Sequence, residues 1–283
     1  MKELAIIIDY IEEHLSDTID MRHIETLANM SIFNFQKVFS ILSGISLGEY
    51  IRKRRLSHSW YDLKETKTKI IDIAFKYNYQ SSEAYSRAFQ QLFHVSPSYA
   101  RKEIEQLTLY PRLRIRVDIQ GGDLMEYHIV TKPAFLVTGT RESYLNLEEG
   151  QRKIPTFWDR FNASDLFHQV VAEKDASGPN HVLGICLPGL NQAYDYFIGV
   201  QTATKTANKD LETITLPETK WAVFQARGPV PDAIRQTYQD IYGVFFQSTH
   251  YEPSEGPDFE SYPLDLDPFS ANHITEIWLP LKK

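Results

Sequence analysis

A pattern that occurs twice in the first 105 residues constrains this chain more than any other feature: a short amphipathic helix, a tight turn, and a second helix opened by a capping side chain. Leu4, Ile7, Ile8, Ile11 and Leu15 recur at helical spacing and predict a first helix over residues 3–15. Asp20 stands where an N-cap belongs ahead of Ile24, Leu27 and Ala28, and Ser31 stands likewise ahead of Phe35, Val38 and Phe39. A longer amphipathic helix follows over residues 47–63, through Ile51, Leu56 and Trp60, and carries the run Arg52-Lys53-Arg54-Arg55. Then the pattern returns, with Ile70, Ile73 and Ala74 on a short helix, Asn78 at the turn, Ser81 as cap, and Tyr85, Ala88, Phe89 and Phe93 beyond it. Two helix-turn-helix units on one connecting helix make an all-α domain over residues 1–106.

The segments Ile73-Ala74-Phe75-Lys76-Tyr77-Asn78-Tyr79-Gln80-Ser81, Tyr85-Ser86-Arg87-Ala88-Phe89 and Ser96-Pro97-Ser98-Tyr99-Ala100-Arg101 resemble the signature of the AraC/XylS regulators. The resemblance covers nearly all of residues 1–105. It departs at Asn78, where that family usually has Gly, and at His94, where it often has Gly; both positions want a positive φ, which Asn and His tolerate better than most residues. The resemblance implies binding to double-stranded DNA through two helices laid in successive major grooves, with RNA polymerase as a further partner. It places Phe33, Gln36 and Lys37 at base-contacting positions with Ser31 and Asn34 beside them, and Ser82, Glu83, Ser86 and Arg87 on a second reading face. Gln suits adenine, Lys guanine and a phenyl ring the thymine methyl; Arg87 is the strongest single base-contact candidate, and Glu83 would accept from cytosine or repel phosphate. Arg52 and Arg55 are expected on phosphates, with at least one member of the basic run paired to Glu49.

With 283 residues the chain exceeds what one core usually supports, so two domains are expected. Apolar residues at 42% and charged residues at 24% fit a soluble globular protein. No run of 18 apolar residues and no basic-then-apolar leader occurs, so the expected location is the cytoplasm, with no membrane partner. The single cysteine, Cys186, reads as a buried thiol, and nine histidines without ligand spacing predict neither metal nor cofactor. Residues 1–105 carry as many basic as acidic side chains, so the whole net charge of −7 lies in the later part. A DNA binder normally presents a basic footprint, so the DNA reading rests on the helical pattern and not on charge.

Residues 107–125 read as a linker, in which Arg112, Arg114 and Arg116 alternate with Leu113, Ile115 and Val117 like a strand until Gly121-Gly122. Residues 126–283 read as an α+β domain: strands over 126–130, 135–142, 182–187, 194–202, 221–227 and 274–279, and helices over 151–170 and 232–247. Lys132-Pro133-Ala134-Phe135-Leu136-Val137 with Arg141 lines up with Thr219-Lys220-Trp221-Ala222-Val223 with Arg227, an offset of 86 residues that predicts a pseudo-twofold repeat.

This part resembles the gyrase-inhibitor-like effector-binding domain. The resemblance rests on Pro155-Thr156-Phe157-Trp158-Asp159-Arg160-Phe161, Tyr194-Asp195-Tyr196-Phe197-Ile198-Gly199-Val200, Gly228-Pro229, Pro257-Asp258-Phe259-Glu260-Ser261-Tyr262 and Glu276-Ile277-Trp278-Leu279-Pro280. Under strand alternation Glu260 shares a face with Tyr262 and Leu264, and a carboxylate so placed needs a partner. A lipophilic cation in an aromatic-walled cleft would supply one, with Trp158, Phe161, Tyr196, Trp221, Tyr262 and Trp278 as candidate walls. No nucleophile-base pair points to an enzyme. Two rivals stay open here: hydrolysis of the ligand with Glu260 as general base, and a protein-binding module.

Overall fold

The computed structural model describes residues 2–114, 125–189 and 193–282, and its contacts divide the chain into two compact units, 1–120 and 121–283. The first is helical: α1 (Lys2–Glu13), α2 (Met21–Ala28), α3 (Ile32–Ser43), α4 (Leu47–Glu65), α5 (Ile70–Lys76), α6 (Ser82–Phe93) and α7 (Pro97–Glu103). Asp20, Ser31, Ser46, Ser81 and Ser96 cap α2, α3, α4, α6 and α7, each accepting a backbone N–H of the first turn. Asn78 and His94 take φ values of 64° and 62°, as their positions demand.

Two cores lie along α4. Its first half gives Leu47, Tyr50 and Ile51 to a cluster with α1, α2 and α3, and its second half gives Leu56, Trp60 and Leu63 to a cluster with α5, α6 and α7. Arginines close the ends. Arg55 donates to the carbonyls of Leu15 (2.9 Å) and Asp17 (2.8 Å), just beyond α1, and Arg101 donates to those of Leu63 and Thr68 around the end of α4. Residues 107–114 form no strand. They lie against this unit, Leu107 and Leu109 on the second core, Tyr110 and Leu113 on the first, with Arg112 paired to Asp9. The linker reading is therefore corrected for 107–114, because their apolar side chains find helical cores to cover; the remainder of the basic alternation and Gly121-Gly122 lie outside the described residues.

The second unit is an antiparallel sheet with helices: β1 (Tyr127–Lys132), β2 (Phe135–Tyr144), α8 (Leu147–Asn162), α9 (Asp165–Ala172), β3 (His181–Pro188), β4 (Tyr194–Thr202), β5 (Glu212–Leu216), β6 (Thr219–Arg227), α10 (Asp232–Asp240), β7 (Asp258–Pro263) and β8 (Ile274–Pro280). The long helix expected over 151–170 is two helices parted at Ala163–Ser164, and α10 runs on through a π-helical turn, Ile241–Phe245. Strand order is β1-β6-β8-β7-β3-β4-β2-β5.

That order forces curvature. β1 and β2 stand six places apart, roughly 29 Å in a flat sheet, yet only Pro133 and Ala134 join them, a reach of about 11 Å. β5 and β6 are also six places apart and joined by two residues. The sheet must curl until its edges approach. Lys132 records the result: its ammonium lies 4.0 Å from the ring centre of Phe135 and 5.3 Å from that of Trp278, and it donates to Gln201 Oε1 on β4. One sheet face gathers Phe135, Val137, Leu183, Ile185, Phe197, Trp221, Val223 and Phe259 into a core. The other face bears the candidate site. Among the described residues no helix is long and apolar enough to cross a membrane, and no cluster of three or more His, Cys, Asp or Glu could hold a metal ion.

Candidate functional site

Strand pairing sets the floor of the site. Glu260 on β7 pairs with Gly184 on β3, Tyr262 with Val182, and Cys186 with both Asp258 and Tyr196, so these side chains emerge on the face opposite the Trp221–Phe259 core. Gly184 leaves a gap that Tyr196 fills: a Cβ there would stand 2.2 Å from the Tyr196 hydroxyl and 3.0 Å from the Trp158 ring. From α8, Trp158 Nε1 donates to that hydroxyl at 3.0 Å, which in turn reaches Glu260 Oε2 over a long 3.5 Å. From α10, Tyr238 donates to Glu260 Oε1 at 2.9 Å. The Trp158 and Tyr262 rings meet edge-on with centres 5.1 Å apart, and Phe161 backs Trp158 at 6.0 Å.

Electrostatics follow from this burial. Burial first, and the charge of Glu260 second, push the phenols of Tyr196, Tyr238 and Tyr262 well above their ordinary range. All three remain O–H donors at physiological pH. A half-buried carboxylate ringed by phenol donors and π faces suits a large cation with apolar surface.

Five of the seven side chains singled out from the sequence, Glu260, Trp158, Phe161, Tyr196 and Tyr262, come together here. Trp221 and Trp278 do not, which corrects their reading as walls. Trp221 is packed 5.1 Å from Phe259, and Trp278 is stacked on Phe259, the neighbour of Glu260 in sequence; alternation sends all three rings to the other face. Tyr238 escaped sequence reasoning because its reach depends on how α10 lies over β7.

The helical unit keeps part of the expected reading surface. On α6, Glu83 and Arg87 are exposed and Ser82 and Ser86 half-exposed. The Glu83 carboxyl, held below its ordinary value by its own backbone N–H and by Ser81 and Ser82, serves the start of α6 as well as facing outward. On α3, Ser31 is the cap, and Asn34 and Gln36 are half-buried. Phe33 and Lys37, expected on the exposed face, are 7% and 9% exposed. Helical periodicity reports only the stripe turned to the helix's own core, whereas a phenyl ring and a lysine stem can be covered from the other side. Arg52 is exposed, and Lys53, a member of the basic run, pairs with Glu49 as expected. Arg55 is corrected from a phosphate contact to a cap, since its guanidinium serves the carbonyls beyond α1.

Residues 125–282 match the family described as the GyrI-like small molecule binding domain, and residues 25–103 match a helix-turn-helix domain family. The HTH-type transcriptional regulator YbfP of Bacillus subtilis (strain 168) is 36% identical over 101 residues, 36% of this chain and 34% of that protein. The right origin-binding protein of Escherichia coli (strain K12) is 30% identical over 149 residues, 51% of this chain and 50% of that protein. The matches thus span a third to a half of these curated relatives. A solved structure of SAV2435 bound to tetraphenylphosphonium is 30% identical over 56% of this chain and 94% of that one, with a TM-score of 0.51.

Proposed function

The chain belongs to the GyrI-like small molecule binding family, here carried behind an AraC-type helix-turn-helix domain, and we propose that it is a cytoplasmic transcriptional regulator whose DNA binding answers to a lipophilic cation held at Glu260. The observation that carries this reading is the Glu260 carboxylate, hydrogen-bonded by Tyr238 and set among the rings of Trp158, Tyr196 and Tyr262. The tetraphenylphosphonium bound by the 30% identical SAV2435 belongs to the same chemical class. The domain acts by binding and not by turnover. We read it as two copies of one unit of two strands, helix and two strands; exchanging β1 with β5, β2 with β6, β3 with β7 and β4 with β8 turns the strand order into its own reverse, which supports the repeat.

The test is titration calorimetry of the full chain with tetraphenylphosphonium and with triphenylphosphine oxide as a neutral partner. Glu260→Gln keeps shape and removes charge, so cation affinity should fall by about 1.5–3 kcal/mol, roughly tenfold to a hundredfold, while the neutral ligand is unaffected. Equal affinities of parent and variant for both ligands would sink the reading.

On the DNA side α6 is the reading helix open to solvent. Arg87→Ala is expected to weaken specific binding by about 1–3 kcal/mol and to relax preference at one base pair. Band shifts on a set of single-base operator variants decide it; uniform weakening on every sequence reassigns Arg87 to phosphate. RNA polymerase is the proposed partner once DNA is bound.

A further inference from the structure

Asn78 stands at the turn between α5 and α6, in the second helix-turn-helix unit, with φ at 64°. Glycine would meet that backbone demand as well or better, so what asparagine adds is its side chain. The side chain does not stay local. Its Nδ2 donates at 2.8 Å to the carbonyl oxygen of Asp17, which lies 61 residues earlier, between α1 and α2 in the first unit. Arg55, on the connecting helix, donates to that same oxygen at 2.8 Å through Nη2 and to the Leu15 carbonyl through Nε. Both lone pairs of one carbonyl oxygen thus join the first unit, the connector and the second unit at a single point. Among the described residues the two cores also share α4 and the strap of residues 107–114. A shared helix fixes separation well and angle poorly, because long helices bend. A tie away from the helix axis fixes the angle.

We propose that Asn78 is a positioning residue for DNA recognition: with Arg55 it locks the angle between α3 and α6, and so sets the spacing of the two DNA segments that the chain reads together. This rests on the reading of the helical unit as a DNA-binding domain. Asn78 touches no base in it; it acts through the Asp17 carbonyl, and its loss shows as relaxed spacing and not as relaxed base preference.

The test uses the full chain and a duplex selected by that chain from a random-sequence pool, then remade with one base pair inserted or removed between its two protected segments. Asn78→Gly keeps the positive φ and deletes the donor, so the variant should melt within a few degrees of the parent and bind the selected duplex comparably. The parent is expected to lose tenfold or more on the respaced duplexes, and the variant to lose at least threefold less. Asn78→Asp, which sets a carboxylate against the carbonyl, should relax spacing in the same way. Two results overturn the proposal: a variant as strict on spacing as the parent, or a parent indifferent to spacing. Failure of the parent to select any sequence overturns the DNA-binding reading itself, a different outcome from either.

Discussion

Replacing Arg54 by alanine is expected to destabilise the helical unit by about 3–5 kcal/mol, enough to unfold a large fraction of it at body temperature. Arg54 forks onto Glu12 through Nε and Nη2 (2.9 and 2.7 Å) and donates Nη1 to the Tyr110 carbonyl at 2.6 Å, while Tyr50 donates to Glu12 Oε1 at 2.7 Å. The two charged side chains keep 13% and 12% of their surface exposed, so this is an interior pair that joins α1, α4 and the 107–114 strap. Removal of the guanidinium strands a carboxylate that water hardly reaches. The pH dependence carries its own sign. Burial pushes the Glu12 carboxyl up, but the hydrogen bonds from Arg54 and Tyr50 and the guanidinium charge outweigh it and hold Glu12 below 4.5. Its contribution to stability is therefore full above about pH 4.5 and is lost as pH falls through the lowered folded value. In Arg54→Ala the carboxyl loses its largest counterweight to burial and keeps only the Tyr50 hydrogen bond and the Arg112 charge, so it moves up from its lowered value, and mild acid should narrow the gap between variant and parent. Urea melts followed by helical circular dichroism at pH 7 and pH 4 measure both effects. A difference under about 1 kcal/mol at pH 7 would place the pair among ordinary surface salt bridges.

The second large effect is expected at Gly184. A methyl group there must displace the Tyr196 hydroxyl, since the added Cβ would lie 2.2 Å from it, and the Trp158 ring stands only 3.0 Å away. Both obstacles are side-chain ends and not backbone, so the domain folds with a local overpacking penalty of about 1–3 kcal/mol. The hydroxyl links Trp158 to Glu260, and its displacement breaks the link from α8 to β7. Gly184→Ala should accordingly reduce tetraphenylphosphonium affinity by about 2–4 kcal/mol, thirtyfold or more, counting the crowded site and a lost hydrogen bond toward a charged group. Calorimetry beside a melting curve separates the two consequences. Unchanged affinity in a folded variant would show that the Tyr196 position does not matter to the ligand.

What the sequence discloses depends on how local the physics is. Asp20, Ser31 and Ser81 could be read as caps because each satisfies a backbone N–H within three residues of itself, and Asn78 and His94 could be read as left-handed because the turn alone demands it. The strand over residues 194–202 was legible in its full extent, being rich in apolar and aromatic residues. β5 was missed: its run Glu-Thr-Ile-Thr-Leu is short and polar, and its place beside β2 is a matter of tertiary pairing. Trp221 and Trp278 show the limit most plainly. Their chemistry suited a cation site, but the face they occupy is set by register with Phe259 across β7 and β8, which no single strand encodes. Arg55 shows another: an arginine run on a helix announces charge, while which carbonyls lie within reach is decided by α1, about 40 residues earlier.

The two-residue joints between β1 and β2 and between β5 and β6 have a mechanical meaning for the ligand. They lace opposite edges of the sheet together, so the sheet behaves like a closed hoop with the β3–β7 seam under Glu260 opposite the lacing. A hoop of this kind resists being spread, because widening the seam pulls on joints only two residues long. The floor of the proposed cation site would be the stiff part, and the give needed to admit ligands of different girth would fall to α8 and α10, which hold Trp158 and Tyr238 over that floor like two jaws on an anvil.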